Sequence, residues 1–383
     1  MRKRVAPIGL ATLFIAGAVI FWYLNLASSE KNSPSRVTLP EPTVKNNAWK
    51  NMTVLALAKD RELLRAAISS AGTRAIMEKL VAETKGGTIA DCHQEAHEVG
   101  RAGYALFKEK AMRECDSSCH SGCYHGAMET LLNKNGTENL PETIHAVCQS
   151  FPTSFGRFEC LHGVGHGALA YLDYDLPAAL ADCKRLANSF EQSSCYGGVF
   201  MENILTAQGL GAKGAEHETR WVKKDDPLFP CDGVDNNPEI QYQCYQMQTS
   251  RMLELFNYDF DRVSAECKKV PLEMRSVCFK SFGRDAAGQT LRDPRHIVII
   301  CDKAPEDYRD ECLGGGLNVI VDFWGEKLGD QAAELCRVVT TERKEACYKV
   351  LALRIPGIFT DKETRKLQCG YFEPEYQNLC EVR

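Results

Sequence analysis

LPAALADCKRLANSFEQSSCYGGVFMENILTAQG, residues Leu176–Gly209, is the stretch that decides the fold. LPAALADCKRLA (Leu176–Ala187) carries apolar residues at helical spacing, NSFEQSS turns, and CYGGVFMENILTAQG restarts the period and stops at Gly209, a natural helix terminator. Cys183 falls late in the first helix and Cys195 early in the second, 12 positions on, so a bridge between them staples a helical hairpin. Closing a loop of about 11 residues in this way is worth roughly 3 kcal/mol in the chain-entropy picture.

The same spacing recurs on both sides. Cys148 and Cys160, Cys231 and Cys244, Cys267 and Cys278, Cys301 and Cys312, Cys336 and Cys347, and Cys369 and Cys380 are also pairs 11 to 13 positions apart. The second cysteines, with Cys123 before them, follow one another at 37, 35, 49, 34, 34, 35 and 33 residues. The long interval holds a charged, proline-containing insertion, residues 209–230. Strand alternation is nowhere sustained. A two-helix unit of about 35 residues predicts an all-α, disulfide-stapled α/α repeat solenoid. In outline this is similar to the Sel1-like cysteine-rich repeat proteins, which also put one disulfide into each α/α unit; the resemblance implies architecture, and no function or residue comes with it.

At 383 residues and 44% hydrophobic content the chain can fill more than one ordinary core, which excludes disorder and collagen. Lys+Arg 46 against Asp+Glu 51 leaves a net charge of -5 and no broad basic field, which argues against nucleic acid as a partner. Eighteen cysteines, an even number, point to an oxidising compartment. Residues 1–4, MRKR, precede 23 uncharged residues, 5–27, long enough as a helix of roughly 34 Å to cross a hydrocarbon core of about 30 Å. The best cleavage candidate, Ala27, has Asn25 two places before it, so an uncleaved anchor fits better than a signal peptide. The flanking charges place the N-terminus in the cytosol and the body in the periplasm or outside the cell. A polar, proline-containing tether, 28–47, leads to an N-terminal helical region, 48–174, and to the cysteine-paired repeats, 175–383.

Cys92, Cys115, Cys119 and Cys123 stand outside the regular pairs. Analogy with the later units joins Cys115 to Cys123 and leaves Cys92 for Cys119, although four cysteines allow three connectivities. CDSSCH (Cys115–His120) resembles a haem c attachment sequence with three residues between the cysteines instead of two, and a cysteine-rich zinc site is a further alternative.

Histidine carries the functional signal. Of nine, seven lie between His93 and His166. CHQEAH gives His93 and His97, CYHGAME gives His125 and Glu129, and CLHGVGH gives His162 and His166; each pair is four apart and so shares a helix face. His125 and His162 stand two places after a repeat cysteine, Glu129 and His166 six places after it. Side-by-side second helices therefore converge these five histidines and one glutamate on a transition-metal ion such as zinc, iron or copper, with His120 and His145 outside the ligand set. In later units the second position becomes Gly197, Gln246, Lys280, Gly314 and Lys349, as a localised site on a repeating scaffold would show. HQEAH departs from the HExxH zincin helix because its glutamate, Glu95, stands one place late, which disfavours a metalloprotease.

Weaker features read as structural. Glu202, offset by one from Glu129, is expected to be an exposed helical residue. CLGGGLN (Cys312–Asn318) lacks a preceding strand and a following lysine, so close helix packing explains it better than phosphate binding. Asp322, Phe323, Trp324, Tyr371 and Phe372 are expected in the core or at caps. Asn51 and Asn135 match the glycosylation acceptor pattern. Two functions remain: a membrane-anchored extracytoplasmic metal-binding helical-repeat protein, or a disulfide-stabilised interaction scaffold without metal or catalysis that offers its solenoid face to a protein partner.

Overall fold

In the computed structural model, residues 47–85, 92–209 and 219–380 are described. The anchor expected at 5–27 lies outside them, and among the described residues no helix is long and apolar enough to cross a membrane. Every regular element among the described residues is helical.

Among the described residues a 3-10 turn (Asn47–Asn51) precedes α1 (Val54–Ala58), α2 (Arg61–Ala71) and α3 (Thr73–Lys85), followed by α4 (His93–Phe107) and α5 (Glu109–Glu114). Next come α6 (Gly122–Asn135), α7 (Leu140–Cys148), α8 (Ser154–Tyr171), α9 (Leu176–Lys184) and α10 (Ser189–Ala207). After the insertion follow α11 (Pro238–Leu255), α12 (Phe260–Cys267), α13 (Arg275–Gln289), α14 (Pro294–Cys301), α15 (Arg309–Trp324), α16 (Gln331–Val338), α17 (Thr341–Ile358) and α18 (Lys362–Cys369). Long and short helices alternate, and one turn signal recurs at the ends of α8, α11 and α13. Asp173 and Tyr174, Asn257 and Tyr258, and Leu291 and Arg292 adopt positive φ in pairs and reverse the chain. Asp175, Asp259 and Asp293 then cap the next helix by accepting from its free N–H groups.

All 18 cysteines are bridged. Cys148–Cys160, Cys183–Cys195, Cys267–Cys278, Cys301–Cys312 and Cys336–Cys347 each tie a short helix to the long one after it. Cys369–Cys380 ties α18 to the turn after it, and Cys231–Cys244 ties the residue that follows the insertion to α11. Cys92–Cys119 and Cys115–Cys123 account for the remaining four, which leaves no thiolate for haem attachment or a zinc site at CDSSCH. Nine bridges and no free thiol belong to an oxidising, extracytoplasmic setting. The insertion, from Thr219 on, is packed: Thr219 donates to Asn203 at 2.9 Å, and Gln248 donates to the carbonyls of Pro227 and Phe229.

The long helices pack in sequence, α4 on α6, α6 on α8, α8 on α10, α10 on α11, α11 on α13, α13 on α15 and α15 on α17. Glycine sets the closest crossings. A Cβ on Gly126 would stand 2.0 Å from the His97 carbonyl oxygen, and one on Gly100 equally near that of Cys123, so α4 and α6 meet backbone to backbone. Gly165 with Gly198 and Gly283 with Gly315 repeat the arrangement at α8–α10 and α13–α15; the packing role expected for CLGGGLN holds at Gly315 and Gly316.

The succession curves back on itself, so that α17 packs against α8. Ser154 donates to the Gly357 carbonyl at 3.4 Å, Arg354 lies over the Phe155 ring, and Lys327 pairs with Asp116 at 2.7 Å. Gly325, at φ +50, passes so close to Ser117 that no side chain fits there. The long helices thus surround a central cavity of about 410 Å3 that is partly open to solvent.

Candidate metal centre

Three neighbouring long helices bring the histidines together. His93 and His97 come from α4, His125 from α6, and His162 and His166 from α8. Ring centroids lie 4.6 Å apart for His93 and His97, 5.3 Å for His97 and His125, and 5.2 Å for His125 and His162. His166 lies 5.0 Å from His125 and 5.6 Å from His97. Ligand atoms of His93, His97 and His125 all fall within 4.8 Å of one another, as do those of Glu129, His166 and Glu202. His120, with its ring 6.0 Å from His93 and edge-on to Phe323, borders the cluster; His145 is exposed on α7, beside a separate surface groove.

The hydrogen bonds are polarised in one sense. His97 Nδ1 bonds Glu129 Oε1 at 2.9 Å, His166 Nδ1 bonds Glu202 Oε2 at 2.9 Å, and His125 Nε2 bonds Glu159 Oε2 at 3.3 Å. His162 Nε2 meets the Met201 sulfur at 3.4 Å, and His93 Nδ1 meets the Cys119 carbonyl at 2.9 Å. With these nitrogens engaged, the second nitrogen of several rings is left over. His125 Nδ1, His162 Nδ1 and His166 Nε2 are buried with no hydrogen-bond partner, and His93 Nε2 and His97 Nε2 stand 3.1 Å apart. Two nitrogens bound to one ion at about 2.1 Å would be separated by roughly 3.0 to 3.4 Å.

Glu129 groups with His166 and Glu202, apart from the His93, His97 and His125 set, and both its oxygens are engaged, one by His97 and the other by Arg101 Nε at 2.6 Å. Glu202 departs from the expectation. It is 1% exposed and accepts from His166, from the Tyr174 hydroxyl at 3.1 Å and from Thr206 at 3.0 Å. The reason is helical phase: position 202 is seven residues, two full turns, beyond Cys195, and so lies on the face that crosses α8. Glu159, directly before Cys160, carried no pattern that marked it.

Burial pushes the imidazole of His97 down to about 4 despite the Glu129 carboxylate beside it. Burial, reinforced by neighbouring imidazoles, holds His125 and His162 well below their ordinary range. Burial alone would raise Glu129, but Arg101 and His97 outweigh it and keep the carboxyl ionised. Burial, with the charge of Asp322, lifts Glu159 well above the usual carboxylate range. Burial thus favours the neutral imidazole at His97, His125 and His162, the form in which histidine ligates a cation.

The equivalent position in the next unit is Gly197, and its lack of a side chain leaves room. A Cβ there would stand 3.2 Å from His162 Nδ1 and 3.0 Å from Gln243 Oε1. The histidines also border the central cavity, where His93, His125 and His162 form part of the wall. No protein-family model, curated protein or solved structure matches this chain.

Proposed function

We propose that this protein is an extracytoplasmic metalloprotein. A single-turn α/α repeat solenoid, tethered to the membrane through residues 5–27 and with its body outside the cytosol, holds one transition-metal ion, zinc, iron or copper, among His93, His97, His125, His162 and His166. One observation carries the reading: three buried imidazole nitrogens, on His125, His162 and His166, lack any partner, while the far nitrogens of His125 and His166 are engaged by the carboxyl groups of Glu159 and Glu202. A carboxylate behind a histidine sets its tautomer and raises its basicity toward a metal, and a partnerless buried nitrogen is costly without one. In this reading Glu129 and Glu202 orient ligands. The cavity beside the ion supports a site that a small molecule reaches, as opposed to a purely structural ion.

Elemental analysis of the body purified without a histidine tag tests the reading. A stoichiometric transition metal is expected, together with its loss from the H125A/H162A double variant while the circular dichroism stays helical. A metal-free wild-type protein, or unchanged metal in the double variant, would favour the interaction scaffold. A reporter active only outside the cytosol, fused after Pro42 in the tether, tests the topology by its activity.

A further inference from the structure

The cavity has a second wall. Facing the histidines, α11, α13, α15 and α17 contribute Gln246, Lys280, Arg284, Asn318, Asp322 and Arg354. Two of the three cations are already neutralised: Arg284 pairs with Asp285 at 2.8 Å, and Arg354 pairs with Asp322. Asp285 is further satisfied by Thr249 at 2.7 Å and Ser250 at 2.9 Å. Lys280 differs. Its ammonium reaches the Tyr242 hydroxyl at 3.4 Å, and among the described residues no carboxylate comes within ion-pairing distance.

Buried amide oxygens of Gln246 and Asn318 also lack partners in this wall. Between the polar groups lie Phe158, Ile204, Leu205, Met247 and Val319. At about 410 Å3 the space is too large for a lone inorganic anion and suits a small organic molecule.

We infer that the central cavity binds a small organic carboxylate, its head group between the metal ion and Lys280 and its chain against the apolar strip formed by α10, α11 and α15. The inference rests on the metal reading for one of the two charges that hold the head group. The charge balance supports it. A divalent ion on neutral imidazoles, together with Lys280, outweighs Glu159, the one carboxylate on the wall that no cation pairs, even with Glu159 counted as ionised. Glu202 stands behind His166 and offsets part of the ion's charge, not that of Lys280. An incoming anion is the group this arrangement lacks.

The test titrates the full-length, metal-loaded protein calorimetrically with hexanoate, with the neutral isostere hexanamide and with inorganic phosphate. Hexanoate is expected to bind at least roughly tenfold more tightly than either, as loss of a charged hydrogen bond implies. Lys280→Met should weaken hexanoate about tenfold at unchanged metal content. Gly288→Leu, which projects a side chain into open space at the cavity wall, should weaken it without touching any charge. Equal binding of hexanoate and hexanamide, equal binding of phosphate, or an unaffected K280M protein overturns the inference. Should one variant misfold, the wild-type comparison and the other variant still decide. Bound metal without hexanoate binding defeats this inference alone, whereas Lys280-dependent hexanoate binding to a metal-free protein defeats the metal reading, and with it the metal's share of the head-group site, and leaves Lys280 as the anchor.

Discussion

His166 and Glu202 face each other across the crossing of α8 and α10, Nδ1 to Oε2 at 2.9 Å, with both side chains essentially sealed from solvent. The crossing is close because Gly165 and Gly198 let the two backbones meet there. The carboxylate thus fixes which nitrogen of His166 carries the proton and leaves Nε2 free for the cluster.

Glu202→Gln keeps the shape and the hydrogen bonds from Tyr174 and Thr206 but removes the charge behind His166. Metal affinity should fall about 10- to 100-fold while helix content is unchanged. Competition with a chromophoric chelator reads this directly. Undiminished affinity in E202Q would mean that His166 is not a ligand.

Acidification should destabilise the metal-free protein. His97, at about 4 when folded, and His125 and His162, also well below their ordinary range, take up protons on unfolding that the native state refuses. Stability from a depressed imidazole is complete above its unfolded value near 6.5 and is lost as pH falls from there through the folded value. Each contributes a slope of about 1.4 kcal/mol per pH unit within that window. Glu159 and Asp322, whose carboxyls burial pushes up, act in the opposite direction, but three imidazoles outnumber them. Urea midpoints at pH 7 and pH 5 check the sign: the lower pH should give the lower midpoint, and an equal or higher one would contradict the burial of neutral imidazoles.

Adjacent glycines in α15 should respond oppositely to alanine. A Cβ on Gly314 meets nothing within 4 Å, and Gly314→Ala should stabilise by about 0.5 to 1 kcal/mol through helix propensity. A Cβ on Gly315 would stand 1.9 Å from the Lys280 carbonyl oxygen, so Gly315→Ala must push α13 and α15 apart and should cost at least about 2 kcal/mol. Thermal denaturation of the two variants, monitored by circular dichroism, is the measurement.

The helical hairpins and their staples were legible because cysteine spacing is a one-dimensional signal. So was the inward register: positions two and six after each repeat cysteine, marked by His125, His162 and His166, also place Met201, Gln246, Ser250, Lys280, Arg284 and Asn318 on the cavity wall. Glu159 and Glu202 were not legible. Each lies one helical step off that register, and their roles come from a neighbouring helix that crosses closely enough to bury a carboxylate against a ring. The return of α17 to α8 was equally hidden, since small rotations per unit add up to closure and no single residue encodes them.

That return changes how the body comes apart. A linear stack of helical pairs melts from its ends inward, unit by unit, because each end has one neighbour fewer. A hoop has no such starting point: the Ser154–Gly357 and Asp116–Lys327 links join early and late chain segments more than 200 residues apart. Opening a hairpin between α8 and α17 breaks the circumference and exposes the cavity with the histidines that border it. Helix melting and release of a bound ion should then coincide in one transition, making the ion's retention a gauge of whether the whole hoop is shut.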